Sequence, residues 1–197
     1  MIVQSDVSAA EEIKSMVETV IKKMGRIHVL VNNAGIFEEH PVSSLNYEEW
    51  QDAWRRTIDT NLIGSANAAF LVARHMIEKG GGKIVNVTSR GAFRGEPDAP
   101  AYGASKAGQN ALSQSLAKAL APHNIYVCAV APGWVKTDMA KEALAGPEGD
   151  AIRNQCPMGR VATPKELAKA VVFLSSEGTD YLTGCIVDIN GASYLRT

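Results

Sequence analysis

Tyr102 and Lys106 stand four residues apart, a spacing that puts two side chains on one face of a helix, one turn from each other. A free tyrosine gives up its proton near pH ~10, too high for easy exchange at neutrality, and an ammonium group alongside favours the phenolate and lowers that value. The pair therefore predicts a general acid or base acting on the oxygen of an alcohol or ketone. The same spacing also describes an ordinary surface helix pair, so the setting decides between them. Ser89 lies upstream at the end of Lys83 to Ser89, a run that reads as a buried strand. A hydroxyl there can donate to a substrate oxygen arriving at the sheet's edge. Ser89 has neither the G-x-S-x-G setting of a nucleophile nor a motif-placed histidine, so acyl transfer is not expected.

The elements that must position these residues alternate. Ile2 to Gln4 read as the end of a strand, and Ser8 with Glu11 has the spacing of a capping box opening a helix. Ile13, Met16, Val17, Val20 and Ile21 form one apolar stripe to about Met24, and Gly25 stops it. Ile27 to Val31 then reads as a strand buried on both faces. A long helical stretch follows from about Asn46 to Glu78, then the strand ending at Ser89, a helix from about Ala101 to Ala121, and a strand from Ile125 to Ala131. Thr163, Pro164 and Glu166 open the last helix, which runs to about Leu174, and Ile186 to Ile189 is the last strand. Such alternation predicts an α/β fold, a Rossmann-like doubly wound parallel sheet in one domain over residues 1–197.

Residues 132–162 lack strong periodicity, and a stretch that long inside a compact domain is either a functional lid or a plain loop. It follows the carboxyl end of a strand, where open α/β sheets bind ligands, so the substrate lid is the expectation. Trp134, Val135, Met139, Leu144 and Met158 would supply its apolar inner face.

Bulk properties exclude other classes. The 197 residues are 46% apolar and 21% charged, with 20 basic against 21 acidic side chains and no run of Lys or Arg to neutralise a row of phosphates. Nucleic acid is not an expected partner. No apolar run approaches the ~20 residues needed to span a bilayer, and Asp6 arrives before any hydrophobic leader region. No membrane association is expected, and the cytoplasm is the expected location. Cys128, Cys156 and Cys185 are odd in number and far apart, and His28, His40, His75 and His123 have no companion ligands at metal spacing. Buried thiols and no metal are expected.

After Ile27 to Val31 comes Asn32-Asn33-Ala34-Gly35, too specific for a generic turn. With D-V-S at Asp6, T-N-L at Asn61, Y-G-A-S-K ending at Lys106, P-G-W-V-K-T at Pro132, and L-T-G followed by V-D-I-N-G-A, the whole chain resembles the short-chain dehydrogenase/reductase family. The resemblance implies roles. Tyr102 is the catalytic acid/base, Lys106 lowers its pKa and holds the nicotinamide ribose, and Ser89 orients the substrate carbonyl. Asn61 anchors a water relay to Lys106, or is a helix-interior amide bonding backbone. Asn33, Ala34 and Gly35 line the cofactor. Asp6 and Val7 contact adenine, Asp6 having the alternative of a simple helix-entry acid. Pro132, Gly133 and Thr137 receive the nicotinamide. The cofactor is NAD or NADP, and the chemistry is hydride transfer between nicotinamide C4 and a carbonyl carbon.

The family opens with a strand, a glycine-rich turn and a helix. The first glycine of this chain is Gly25, so two β/α units, on the order of 60 residues, are expected to be absent ahead of Met1. Ile2 to Gln4 would then have no partner strand, and Ile27 to Val31 would form an unprotected edge. The leading reading is an NAD(P)-dependent reductase of secondary alcohols or ketones, most like 3-oxoacyl-[acyl-carrier-protein] reductases, acting on a small-molecule or acyl substrate. The alternative is a non-catalytic scaffold or oligomerisation subunit that has lost cofactor binding. Arg90, Arg94, Glu96 and Asp98 crowd the loop before Tyr102 and read as solvated rather than substrate-facing. The helices at 58–78 and 101–121, rich in small residues on more than one face, suggest a homodimer or homotetramer.

Overall fold

A computed structural model describes residues 1–196. Its first residues have no partner strand, as expected, and so do not form the strand end that their composition predicts. Ile2 to Gln4 join no ladder and Ile2 is 97% exposed, because backbone N–H and C=O groups form a strand only against a neighbour, and no strand of the sheet lies beside them. The capping box at Ser8 and Glu11 does not form. Ser8 instead donates both its N–H and its hydroxyl to the Asp6 carboxylate, each at 2.8 Å, and the Asp6 N–H donates to Glu12 at 2.7 Å. Helix α1 therefore starts later, at Ala10–Met24, with no side-chain cap, and Gly25 (φ +78°) ends it as expected.

Strand β1 is Val29–Asn32. Helix α2, Tyr47–Ile58, opens on a capping box in which Asn46 Oδ1 accepts from the Glu49 N–H (2.9 Å) and the Glu49 carboxylate accepts from the Asn46 N–H (3.2 Å). The expected single helix is interrupted: Asp59–Ile63 is one turn of π-helix, after which α3 continues over Gly64–Glu78. Such wide turns recur at functional sites. Here it lets Gly64 touch the Asp6–Ser8 turn so closely that a Cβ at Gly64 would lie 2.3 Å from the Val7 carbonyl oxygen. Only glycine fits there.

Strand β2 (Gly82–Val87), the short α4 (Gly91–Arg94), α5 (Pro100–Leu120) and β3 (Ile125–Pro132) follow. Within the supposed irregular stretch lie a 3-10 turn at Asp138–Ala140, α6 (Lys141–Ala145) and α7 (Gly149–Asn154). Helix α8 (Pro164–Ser175), capped by Thr163 and Glu166, leads to β4 (Ile186–Ile189). The four strands are all parallel, in the order β1-β2-β3-β4.

Both faces of β2 and β3 are packed, as their near-continuous apolar runs require. Ile13 and Val17 of α1, Val72 and Met76 of α3 and Ala117 of α5 cover Leu30, Ile84, Ile125 and Val127. Leu167, Val171 and Leu174 of α8 cover Val85, Val87, Cys128 and Val130 on the other face. That second cover does not reach β1, so Val29 and Val31 are 38% and 40% exposed. The apolar run predicts a strand buried on both faces; its composition reports what a strand can tolerate, whereas burial depends on which helix lies over it.

Between β3 and α8, Ala140, Leu144 and Ile152 pack with Trp134 and Val161. Met139 and Met158, expected on the inner face, are 58% and 61% exposed. The helical spacing of Ala140 and Leu144 explains Met139: those two residues face inward, and their neighbour turns away. Two hydrogen bonds close the base of the segment, Lys136 N–H to Ala162 O (2.8 Å) and Ala162 N–H to Trp134 O (2.9 Å). No helix among the described residues is long and apolar enough to cross a membrane.

Candidate active site

Ser89 follows the carboxyl end of β2, where its hydroxyl accepts from the Gly91 N–H at 3.0 Å and is near enough to the Tyr102 phenol to pull its pKa down. Tyr102 sits in the first turn of α5, with Phe37 edge-on to its ring at 5.0 Å between centroids. That helix has Ala99 at its N-cap and no capping side chain of its own. His40 serves instead: Nε2 accepts from the Ala101 N–H at 3.0 Å, so Nδ1 donates to the Glu38 carbonyl at 2.8 Å. Fully buried and edge-on to Trp50, the imidazole fixes the turn that carries Tyr102. No spacing in the sequence signals this, because the cap comes from a residue 61 positions away.

The Tyr102–Lys106 pair departs from the expected electrostatics. Burial holds the Tyr102 phenol above its ordinary pKa; the Ser89 hydroxyl pulls it down, and the Glu96 carboxylate adds to the rise. The Lys106 Nζ lies 5.8 Å from the ring centroid, and its hydrogen bonds go to Val87 O (3.0 Å) and Gln109 Oε1 (2.9 Å) rather than to the phenol. Helical spacing put both residues on one face but did not fix where the lysine's flexible stem would send its charge. Tyr102 is therefore a protonated acid, suited to giving a proton to an oxygen that gains electrons.

Burial lowers Lys106 from 10.5 to about 8. With a folded-state value below the unfolded one, the folded protein binds fewer protons between those two pH values, and this group's contribution to stability rises with pH across that window. Compared with Lys106→Met, the wild type is expected to gain on the order of 3 kcal/mol of stability from pH 8 to 10.5. Denaturant midpoints of both proteins at the two pH values measure it, and a pH-independent difference would contradict it.

Asn61 lies in the π-helical turn, fully buried. Its Oδ1 accepts from the Ile36 N–H (2.8 Å), and its Nδ2 donates to the Ile36 carbonyl (3.0 Å) and to Ser105 Oγ (3.1 Å). The amide thus bonds backbone, as one reading had it, but across the fold rather than within its own helix. It ties the turn after β1 to the catalytic helix. In that turn Asn33 and Ala34 are exposed, and a Cβ at Gly35 would meet Asn61 Oδ1 at 3.2 Å and Lys106 Nζ at 3.4 Å. Asn32 is buried, donating to Asn86 Oδ1 (2.8 Å) and Ser65 O (3.2 Å).

Pro132 joins the same edge, its carbonyl accepting from the Arg90 N–H at 2.9 Å, and the Gly133 N–H donates to Ile189 O at 3.1 Å. Thr137 is exposed. Asp6 performs the helix-entry role, its carboxyl held low by the Ser8 hydrogen bonds, and borders an open cleft of about 370 Å³ with Ile36, Thr60 and Arg56. Arg90 is the other correction. Instead of being solvated it is 3% exposed, bonded to Gln155, and lines a cleft of about 280 Å³ with Trp134, Arg160 and Asn190. Arg94 pairs with Glu96 at 3.1 Å.

The donor set fits a nicotinamide ribonucleoside. Lys106 has three N–H groups of which two are engaged, which leaves one for a hydroxyl. Beside it Gly35 has no side chain to fill the space, and Asn33 and Ala34 stand open at the carboxyl edge of the sheet, where such folds take their ligands.

A hydroxyl–phenol pair beside a buried lysine, at the carboxyl edge of a doubly wound parallel sheet, defines a nicotinamide-dependent oxidoreductase, and the chain belongs to the short-chain dehydrogenase/reductase family. A family model described as enoyl-(acyl carrier protein) reductase matches residues 1–192. Among curated relatives, the 3-oxoacyl-[acyl-carrier-protein] reductase FabG of Thermotoga maritima is 40% identical over 186 residues, covering 94% of this chain and 74% of the relative. FabG of Staphylococcus epidermidis is 36% identical over 193 residues, covering 98% and 77%. Two solved structures superpose closely: gox2181, with a TM-score of 0.90 at 34% identity over 97% of this chain and 74% of that one, and ElxO with NADP bound, at 0.87 and 31% over 97% and 77%.

Proposed function

We propose that this protein is an NAD(P)-dependent 3-oxoacyl thioester reductase, with an acyl group on acyl carrier protein as its substrate class. The observation that carries the reading is the convergence of the Ser89 hydroxyl and a protonated Tyr102 at one point of the sheet edge, with Lys106 behind them. The similarity to FabG proteins supplies the substrate class.

A bound nicotinamide supplies the hydride that reduces the ketone carbon. Ser89 donates a hydrogen bond to the ketone oxygen and holds it against Tyr102. As negative charge develops on that oxygen, the phenolic proton of Tyr102 moves to it, leaving a phenolate that the Lys106 ammonium stabilises across the short distance between them. Lys106 would also hold the ribose of a bound dinucleotide through its free N–H, with Asn33, Ala34 and Gly35 lining the same moiety and Pro132, Gly133 and Thr137 receiving the carboxamide. Asp6 and Val7 would contact its adenine. Residues 132–162 close over the acyl chain as a lid within the single domain 1–197, with Leu144 and Ile152 keeping water out.

Fluorescence titration with NADPH and with NADH, followed by turnover of an acetoacetyl thioester, tests the reading. Saturable binding and ketone-dependent oxidation of the dinucleotide support it. Absence of saturable binding to both would leave the scaffold alternative.

The protein acts as a homodimer or homotetramer in the cytoplasm. Supporting this, Ile63, Phe70 and Ile77 recur every seventh residue and are 44%, 64% and 38% exposed, an apolar stripe left open to solvent by the described residues. Phe70→Glu is expected to halve the assembly's mass or more in light scattering at micromolar concentration. An unchanged mass would remove this stripe from the interface.

A further inference from the structure

We propose that Gln109 is a positioning residue of this site, whose side-chain amide fixes the Lys106 ammonium and fastens it to the π-helical turn that carries Asn61. This rests on the oxidoreductase reading for its consequence in turnover, but its geometry stands by itself. Gln109 is fully buried on α5, on the face turned towards Ser65 and the sheet. An interior position of that kind ordinarily takes an apolar side chain, because a buried amide without partners is costly. Here every polar atom of the amide is used.

The direction of each bond follows from the donors available. An ammonium has only protons to give, so Lys106 faces Oε1, at 2.9 Å. The amide nitrogen then donates to Ser65 Oγ at 2.7 Å, and the Ser65 hydroxyl, its oxygen already accepting, donates to the main-chain carbonyl of Asn61 at 2.9 Å. Three hydrogen bonds run the same way, from the lysine to the π-helical turn, and groups aligned in this manner polarise one another in a dry interior. The main chain at Gln109 is anchored too. Its carbonyl accepts from Ser113 Oγ (2.6 Å), which accepts from Asn86 Nδ2 (2.8 Å), and Asn86 Oδ1 accepts from Asn32 (2.8 Å).

The consequence is chemical. Lys106 has two neutral acceptors, Val87 O and Gln109 Oε1, and no carboxylate bonded to it. Removing Oε1 takes away half of what holds the charged form in place. Without it the ammonium is free to lose its proton or turn from the phenol, and either outcome weakens the phenolate left on Tyr102.

The test reads the lysine directly. In the protein without dinucleotide, labelled with ε-13C-lysine, the Lys106 resonance is titrated by NMR in wild type, Gln109→Leu, Gln109→Glu and Ser65→Ala. Gln109→Leu is expected to lower the Lys106 midpoint by about one pH unit and Gln109→Glu to raise it by as much. Ser65→Ala should lower it in the wild-type background and leave it unmoved in Gln109→Leu, because it acts only through the amide. Turnover of the loaded enzyme at neutral pH should fall about tenfold in Gln109→Leu, with KM for the ketone within about twofold. If Gln109→Leu does not fold, Gln109→Glu and Ser65→Ala carry the same comparison. A Lys106 midpoint unchanged in all the folded variants overturns the proposal. A midpoint that moves as described in a protein with no reductase activity overturns the functional reading and leaves the positioning role standing.

Discussion

Tyr102→Phe is expected to lower turnover by about 10²- to 10⁴-fold while leaving the fold unchanged. The hydroxyl is the single group removed. The ring keeps its edge contact with Phe37 at 5.0 Å, and the first turn of α5 keeps its His40 cap. The phenol is the only acid in reach of the Ser89 hydroxyl among the groups assigned to the site, and burial keeps it protonated. A phenyl ring has no proton to give, so the developing alkoxide must be neutralised by water. Single-turnover oxidation of bound NADPH by a ketone measures the loss, with the melting temperature as the control. A fall of less than tenfold would transfer the acid role to another group.

Asn61→Ala carries the second largest effect, and here stability and activity should fall together. The side chain satisfies both the N–H and the carbonyl of Ile36 and reaches Ser105 Oγ, whose own proton goes to the Tyr102 carbonyl at 2.8 Å. Alanine leaves polar groups of the turn after β1 without partners, at about 1–3 kcal/mol for each buried one, so a loss of about 2–5 kcal/mol in denaturant unfolding is expected. Because Gly35 rests on this amide and on Lys106 Nζ, the turn that lines the cofactor loses its support. The expected kinetic signature is a raised KM for the dinucleotide together with a kcat reduced at least tenfold. A variant as stable as the wild type would show that Ile36 finds other partners and that the tie is dispensable.

Much of this was legible in the chain because its signals are local. The four-residue step from Tyr102 to Lys106 decides that they share a face, Thr163 and Glu166 cap their own helix, and the near-continuous apolar β2 and β3 sequences announce cover on both faces. What escaped depends on distant partners. The His40 cap joins residues far apart in sequence, and a lone histidine has no spacing to betray it. The π-helical turn at Asp59–Ile63 has no compositional mark; it shows only in what it brings together, Gly64 against the Val7 carbonyl and Asn61 against Ile36. Arg90 looked like one of four loop charges and is instead buried on Gln155. The lysine's direction was misread for a related reason. Spacing fixes the Cβ, whereas the ammonium at the end of four methylenes goes where acceptors are, and Gln109, three residues on, is one of the two that hold it.

The central claim is that Tyr102, Ser89 and Lys106 together reduce a ketone with hydride from a nicotinamide. Its most direct measurement is isotope transfer from NADPH or NADH carrying deuterium at both C4 positions to an acetoacetyl thioester, followed by mass spectrometry of the hydroxyacyl product. Deuterium on the carbinol carbon, one atom per dinucleotide oxidised and formed about 10²- to 10⁴-fold more slowly with Tyr102→Phe, is the predicted result. A wild-type protein that binds both dinucleotide and thioester saturably yet transfers no deuterium would contradict it.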